Sequence, residues 1–312
     1  MKLTSILAAG AIALTASSHA LAQQDDQLNF IAVTHITAGD PFGNVLKRGF
    51  EDAAEELGVS LRYNSPAQYD TSQMLRMIEQ AIATQPDGLA VTIPDASAFA
   101  KPIRKAIESG IPVVVLNTGE DISHELGALN YVGQSEYRAG KLAGERMREA
   151  GVEHPICINF APGQSQLDAR CQGFTDAFEG AAEQLSTTQD PTAITNAVMA
   201  HLNSNPDTDG VLSLGSLATV PLITEFQKQG AMGKIAFATF DLAPETLEAV
   251  RDGEMLFAMD QQQYLQGYLP VQILAQYNRY GVVPTTDIQT GPNFITQDNA
   301  EQVIELTKQG YR

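Results

Sequence analysis

Asp241, Asp260 and Gln261 stand at the ends of two short apolar runs, residues 235–240 and 255–259. A carboxylate accepts hydrogen bonds only, so one Asp can take the donors of two vicinal hydroxyls, while a carboxamide both donates and accepts. Such a set suits a polyhydroxylated ligand. Other polar or aromatic groups follow apolar runs in the same way: Asp40 with Phe42, Asp95, Asn117, Gln134, and Asp168 with Arg170. Phe42 comes directly after Pro41, which places it at a helix start; a core position is one reading, and the favoured one is a ring that faces a cleft and stacks on the C–H face of a sugar. Arg170 can offer a planar fork of donors to hydroxyl or ring oxygens. Asp and Asn at such turns also cap helices. Their recurrence in both halves of the chain is what points to a shared cleft. His35 sits at a strand end; of its two readings, a residue lining the cleft and an ordinary solvated loop histidine, the second is favoured.

The elements that carry these groups alternate. Strands are predicted at residues 30–33, 59–63, 88–93, 111–116, 129–132, 156–160, 211–214, 235–240, 255–259 and 287–290. Amphipathic helices fill the gaps, such as the one carrying Leu46, Phe50, Ala53 and Leu57, which opens at Asp40-Pro41 and stops at Gly58. This pattern predicts the α/β class with parallel sheets, and its length predicts two similar three-layer α/β/α domains. No Pro/Gly/Ser-rich tether separates them. The chain is therefore expected to cross between domains near Gly133, Gln261 and Gln289, giving an N-terminal domain of residues 23–133 plus 262–289 and a C-terminal domain of residues 134–261 plus 290–312. In open parallel sheets ligands bind beyond the carboxyl ends of the strands, where the polar groups above fall.

Composition narrows the classes. The formal net charge of −18 speaks against nucleic acid and anionic membranes as partners, which require basic patches. Residues 1–22 read as a signal peptide: Lys2, an apolar core at residues 3–16, and Ala20-Leu21-Ala22 before a mature start at Gln23. The expected location is the periplasm, where Cys157 and Cys171 are free to form a disulfide closing a loop of about 15 residues. There is no G-x-G-x-x-G after a strand, no phosphate-binding P-loop and no G-x-S-x-G nucleophile turn. His35, His124, His154 and His201 show no metal-ligand spacing. The expectation is a monomer that is not an enzyme and uses no metal or other cofactor.

Several of these marks occur together and in order: the exported N-terminus, Asp40-Pro41-Phe42, Asp87-Gly88, Ile111-Pro112-Val113, Arg170 with Gly173-Phe174, Phe240-Asp241, and Gln261 with Gly267. In this the chain resembles the type I periplasmic sugar-binding proteins of ABC importers, the ribose- and galactose-binding group, over nearly its whole mature length. The resemblance implies two domains joined by a multi-strand hinge that closes on a ligand. It implies ligand contacts from Asp40, Phe42, Asn117, Arg170, Gly215, Asp241 and Gln261. Gly43 stands where many relatives have a second aromatic ring, Asn117-Thr118 where they have Asp-Arg, and Gly215 where they have a polar contact. The implied function is capture of a small neutral sugar or polyol for a membrane permease. Presentation of the ligand to a chemoreceptor or membrane kinase is the alternative, and an exported sugar-processing enzyme is a more distant one.

Overall fold

A computed structural model describes residues 27–37 and 39–312. The expected signal peptide, residues 1–22, and the mature start at Gln23 lie outside the described residues. Strands and helices alternate from the first described element. The chain runs through β1 (Asn29–Val33), α1 (Pro41–Leu57), β2 (Ser60–Asn64), α2 (Thr71–Ala83), β3 (Gly88–Val91), α3 (Ala96–Glu108), β4 (Val113–Leu116), α4 (Glu120–Leu126) and β5 (Asn130–Gly133). It continues through α5 (Glu136–Glu149), β6 (Pro155–Asn159), α6 (Ser165–Ala177), β7 (Glu183–Ser186), α7 (Pro191–Ser204), β8 (Gly210–Ser213), α8 (Ser216–Gln229), β9 (Ala236–Phe240), α9 (Pro244–Arg251) and β10 (Phe257–Asp260). The last elements are α10 (Gln263–Tyr280), β11 (Ile288–Gln289), β12 (Asn293–Ile295) and α11 (Ala300–Lys308).

Among the described residues these strands form two six-stranded sheets, ordered β2-β1-β3-β4-β5-β11 and β7-β6-β8-β9-β10-β12. The two orders are the same, so each domain has a point where the strand order reverses, and a crevice opens there beyond the strand ends. Inner strands such as Val-Val-Val-Leu of β4 are buried at every position, as sheets covered on both faces require. Apolar clusters fill the space on either side of each sheet. Cys157 on β6 and Cys171 on α6 are joined in a disulfide with a Cα–Cα distance of 5.7 Å, inside the second domain's core.

The chain passes from one sheet to the other between β5 and α5, between β10 and α10, and between β11 and β12. These three crossings touch. The Thr290 amide donates to the Gly133 carbonyl at 2.6 Å, and Gln262 Nε2 donates to the Thr290 carbonyl at 2.5 Å. A Cβ on Gly291 would come within 2.7 Å of Gln134 Oε1 and 3.1 Å of the Asp260 carbonyl, so only glycine leaves room for the strands to pass.

Two features depart from the sequence reading. The sheets are parallel except for β12, which runs antiparallel to β10, because a three-residue link from β11 delivers it to the hinge end of the second sheet. The edge strand β7 has no apolar run to announce it. Its Glu-Gln-Leu-Ser residues are largely exposed, and pairing with β6 alone defines them as a strand.

Candidate ligand-binding site

The first wall of the cleft comes from the ends of β1 and β4. Asp40 caps α1, its Oδ1 accepting from the Phe42 amide at 2.9 Å. Burial raises the Asp40 pKa, and the Phe42 amide partly counters this. Phe42 borders the cavity, but it is also buried in the core with Leu46 and Phe50, which corrects the expectation of an exposed ring. The reason is helical spacing: positions 42, 46 and 50 fall on one face, and that face packs on the sheet. Asn117, with φ of 61°, directs its Nδ2 to Gln266 Oε1 at 3.0 Å, and its carbonyl accepts from the Tyr131 hydroxyl at 2.8 Å.

His35 is not a solvated loop residue. It is buried on this wall, with Nδ1 3.0 Å from Thr92 Oγ1 and Nε2 3.3 Å from Gln166 Nε2 of the second domain. Burial, with the charge of Arg170 second, lowers its pKa to about 3. The neutral ring donates through Nδ1 to Thr92 and accepts at Nε2 from the Gln166 amide.

The second wall is organised by Arg170. Its Nε and Nη2 donate to Glu136 Oε2 and Oε1 at 2.6 and 2.9 Å, and Nη1 donates to the Leu214 carbonyl at 3.1 Å. Three of its five N–H groups are thereby used, leaving two without a partner among the described residues. The guanidinium lies 4.4 Å from the centroid of the Phe240 ring. Helices α5 and α6 bring the pair together because they touch at glycines: a Cβ on Gly140 would collide with the Arg170 carbonyl, and one on Gly173 with the Tyr137 carbonyl. Burial alone would lower the Arg170 pKa, yet the charge and hydrogen bonds of Glu136 raise it. The guanidinium therefore stays charged.

Asp241 leaves β9 in the left-handed region, with φ of 68°, and its Oδ1 accepts from Gln261 Nε2 at 2.5 Å. Burial pushes its pKa up to about 7, opposed by Arg170 and the Gln261 bond and reinforced by Asp40 and Glu136. Gly215 is extended, and a Cβ there would lie 3.3 Å from both Asp241 Oδ2 and the Phe160 ring.

Asp40, Phe42, Asn117, Arg170, Gly215, Asp241 and Gln261 all border one cavity of ≈ 120 Å³ between the domains. The walls also meet on the side away from the crossings, where the Ser165 amide donates to the Pro94 carbonyl at 3.0 Å. Gln166 Oε1 and Gln261 Oε1 are buried acceptors with no partner among the described residues, and both residues line the cavity.

Three expected contacts do not line it. Asp95 Oδ1 caps α3, taking the Ser97 and Ala98 amides and the Ser97 hydroxyl. Asp168 accepts from Asn159 Nδ2 at 2.7 Å and the Gly163 amide at 3.0 Å, which holds the loop after β6. Gln134 is buried in the first crossing and donates to Glu136 Oε2 at 2.8 Å. Asp95 and Gln134 follow strands and Asp168 lies in the first turn of α6, but the donors or acceptors of each are turned to local groups or to the hinge. Asp260 likewise faces the hinge, where it accepts from the Gln262 amide and pairs with Arg312.

Sequence reasoning missed Glu136, Gln164, Gln166 and Phe160. For Glu136 one signal existed. Arg170 shares a helix face with Leu167, Cys171 and Phe174, and an arginine buried there needs an acidic partner.

The pattern of the periplasmic binding protein domain family matches residues 31–280. A crystal structure of a carbohydrate transporter from Acidothermus cellulolyticus in complex with myo-inositol is 33% identical, with a TM-score of 0.86 over 92% of this chain and 100% of that one. A periplasmic sugar-binding protein of an ABC sugar transporter from Legionella pneumophila is 29% identical, with a TM-score of 0.80 over 85% of this chain and all of that one. The xylose/arabinose-binding protein XylF of Sulfolobus acidocaldarius is 29% identical over 292 residues, 88% of this chain and 72% of that protein.

Proposed function

The chain belongs to the periplasmic binding protein domain family, and on that footing we propose that it captures one small neutral sugar or polyol between its domains and delivers it to the permease of an ABC importer in the periplasm. The observation that carries this reading is the cavity itself: Asp40 and Asn117 reach it from one sheet, and Arg170, Asp241 and Gln261 reach it from the second domain and its crossing. A ligand that touches both walls binds the closed form better than the open one and shifts the population toward closure. Hinge closure of this kind is general among periplasmic binding proteins.

We assign residues 23–133 with 262–289 to one lobe and residues 134–261 with 290–312 to the other, acting as a monomer without catalysis after removal of residues 1–22. Ring contact comes from the cavity edge of Phe42, with hydroxyls shared among Asp40, Asn117, Arg170, Asp241 and Gln261. The likeness to the myo-inositol complex and to the pentose-binding XylF supports cyclic polyols and pentoses as the first ligands to try. A thermal-shift screen of pentoses, hexoses and inositols tests the reading, since a ligand that binds only the folded state raises its melting temperature. A rise with at least one neutral member is expected. No rise with any of them overturns the reading.

A further inference from the structure

The cavity is lined by one charged cation, Arg170, and by two acids, Asp40 and Asp241, one from each wall. Glu136 does not line it. From behind, Glu136 holds Arg170 through two hydrogen bonds of 2.6 and 2.9 Å, and is itself held by Gln134 of the first crossing. The positive charge of Arg170 is thus matched before any ligand arrives, while its two remaining N–H groups, unpartnered among the described residues, stay available as donors. Among the described residues, Asp40 and Asp241 have no ion-pair partner of their own. Asp40 and Glu136 act on Asp241 in the same direction as its burial, and Arg170 opposes them.

We propose that Glu136 is a positioning residue that sets the charge selectivity of the cleft: by pairing with Arg170 it excludes acidic sugars, the uronates, aldonates and sugar phosphates, and reserves the site for uncharged ligands rich in hydroxyl donors. The inference rests on the sugar-binding reading above and goes beyond it, because it predicts which sugars are refused and by which residue. An anionic ligand would bring a negative charge into a buried space whose one cation, Arg170, is already matched by Glu136 and whose other ionisable groups, Asp40 and Asp241, are acids. Neutral hydroxyls meet the same carboxylates as donors. Removing the charge of Glu136 would free Arg170 to act as the counter-ion of an acidic ligand.

The test titrates each neutral ligand beside its acidic counterpart: D-glucose with D-glucuronate, D-xylose with D-xylonate, and myo-inositol with myo-inositol 1-phosphate. Wild-type protein is compared with Glu136→Gln and Glu136→Asp by calorimetry, with a thermal melt of each. The wild type is expected to favour the neutral member strongly. Glu136→Gln should narrow that preference by about tenfold or more, the scale of one unit charge about 7 Å away at an effective dielectric of about 20. Glu136→Asp keeps the charge and should keep the preference, even where both affinities fall. A purely structural role would lower both affinities in Glu136→Gln by the same factor, and that result overturns the inference while leaving sugar binding intact. Equal wild-type affinity for a neutral ligand and its acid also overturns it. Failure of the wild type to bind any neutral member overturns the sugar-binding reading and the inference with it. Should Glu136→Gln not fold, Asp40→Asn removes one cleft carboxylate without touching the Arg170 pair; an unchanged preference there overturns the inference as well.

Discussion

In the first wall of the cleft, groups are held by apolar packing and by hydrogen bonds that involve no ion pair. His35 sits on Thr92, Asp40 caps its own helix, and Phe42 is part of the domain core. In the second wall the same task falls to a buried ion pair, Arg170 with Glu136, clamped between α5 and α6 where the helices touch at glycines. The difference teaches where damage will spread. A wall built on packing loses stability when it is cut. A wall built on a buried pair loses stability only when one partner is left alone, since a stranded charge costs more than the intact pair contributes.

The sharpest way to break this comparison is Arg170→Ala. It leaves Glu136 buried without its partner, and should cost about 3–5 kcal/mol of stability. Loss of hydrogen bonds to a charged group, about 1.5–3 kcal/mol each, should weaken ligand binding by roughly a hundredfold or more. The double variant Arg170→Met with Glu136→Leu should recover most of the stability and none of the binding. Thermal melts beside calorimetric titrations separate the two effects, and a double variant as unstable as the single one would show that the pair supports the fold as well.

Phe42→Ala probes the packed wall. Its ring is 6% exposed, so its loss should cost about 3–5 kcal/mol and lower ligand affinity as well. A melt unchanged from wild type would mean that the ring serves the cleft alone. Removing the disulfide with Cys157→Ser and Cys171→Ser together should cost about 3 kcal/mol by loop entropy, measured by chemical denaturation, with affinity unchanged.

Two buried residues on opposite walls, Asp241 and His35, respond to pH with opposite signs. Asp241 has a folded pKa of about 7 against an ordinary 3.8, so the stability it confers is present below about 4 and is lost as pH rises toward 7. His35 has a folded pKa of about 3 against 6.5, so the stability it confers is present above 6.5 and is lost as pH falls. In the ligand-free protein the two largely offset one another between pH 4 and 6.5. Asp241→Asn should make the melting temperature rise with pH across that window, and His35→Gln should make it fall. Parallel slopes in the two variants would sink the assignment. The smallest effect is expected from Asp95→Ala, about 1 kcal/mol for a lost helix cap, with ligand affinity unchanged. A weakened affinity there would place Asp95 in the site after all.

The alternation of strands and helices was legible because it rests on local rules: apolar runs for buried strands, Asp40-Pro41 and Gly58 for the ends of α1, polar groups where strands stop. The strand-to-helix junctions carrying Asp40, Asn117, Asp241 and Gln261, and the helix α6 carrying Arg170, were legible for the same reason, since in a parallel sheet the strands' carboxyl ends share one side. Sorting those groups was not a local matter. Asp95 and Asp241 both follow strands, yet one turns to the amides of its own helix and the other to the cavity. Phe42 was read toward the cleft with the core as the alternative, and it serves both: it borders the cavity while its spacing with Leu46 and Phe50 puts it on the core face. The burial of His35 depended on Gln166, 131 residues away in sequence and in the other domain. The match of Glu136 to Arg170 depended on how closely α5 approaches α6. Sequence determines which groups are offered at the strand ends, because capping and periodicity act over a few residues. Which of those groups face a ligand, and with what charge, is decided only when the three crossings bring two separate sheets to one cavity, because hydrogen bonding and desolvation act between whatever neighbours the fold supplies.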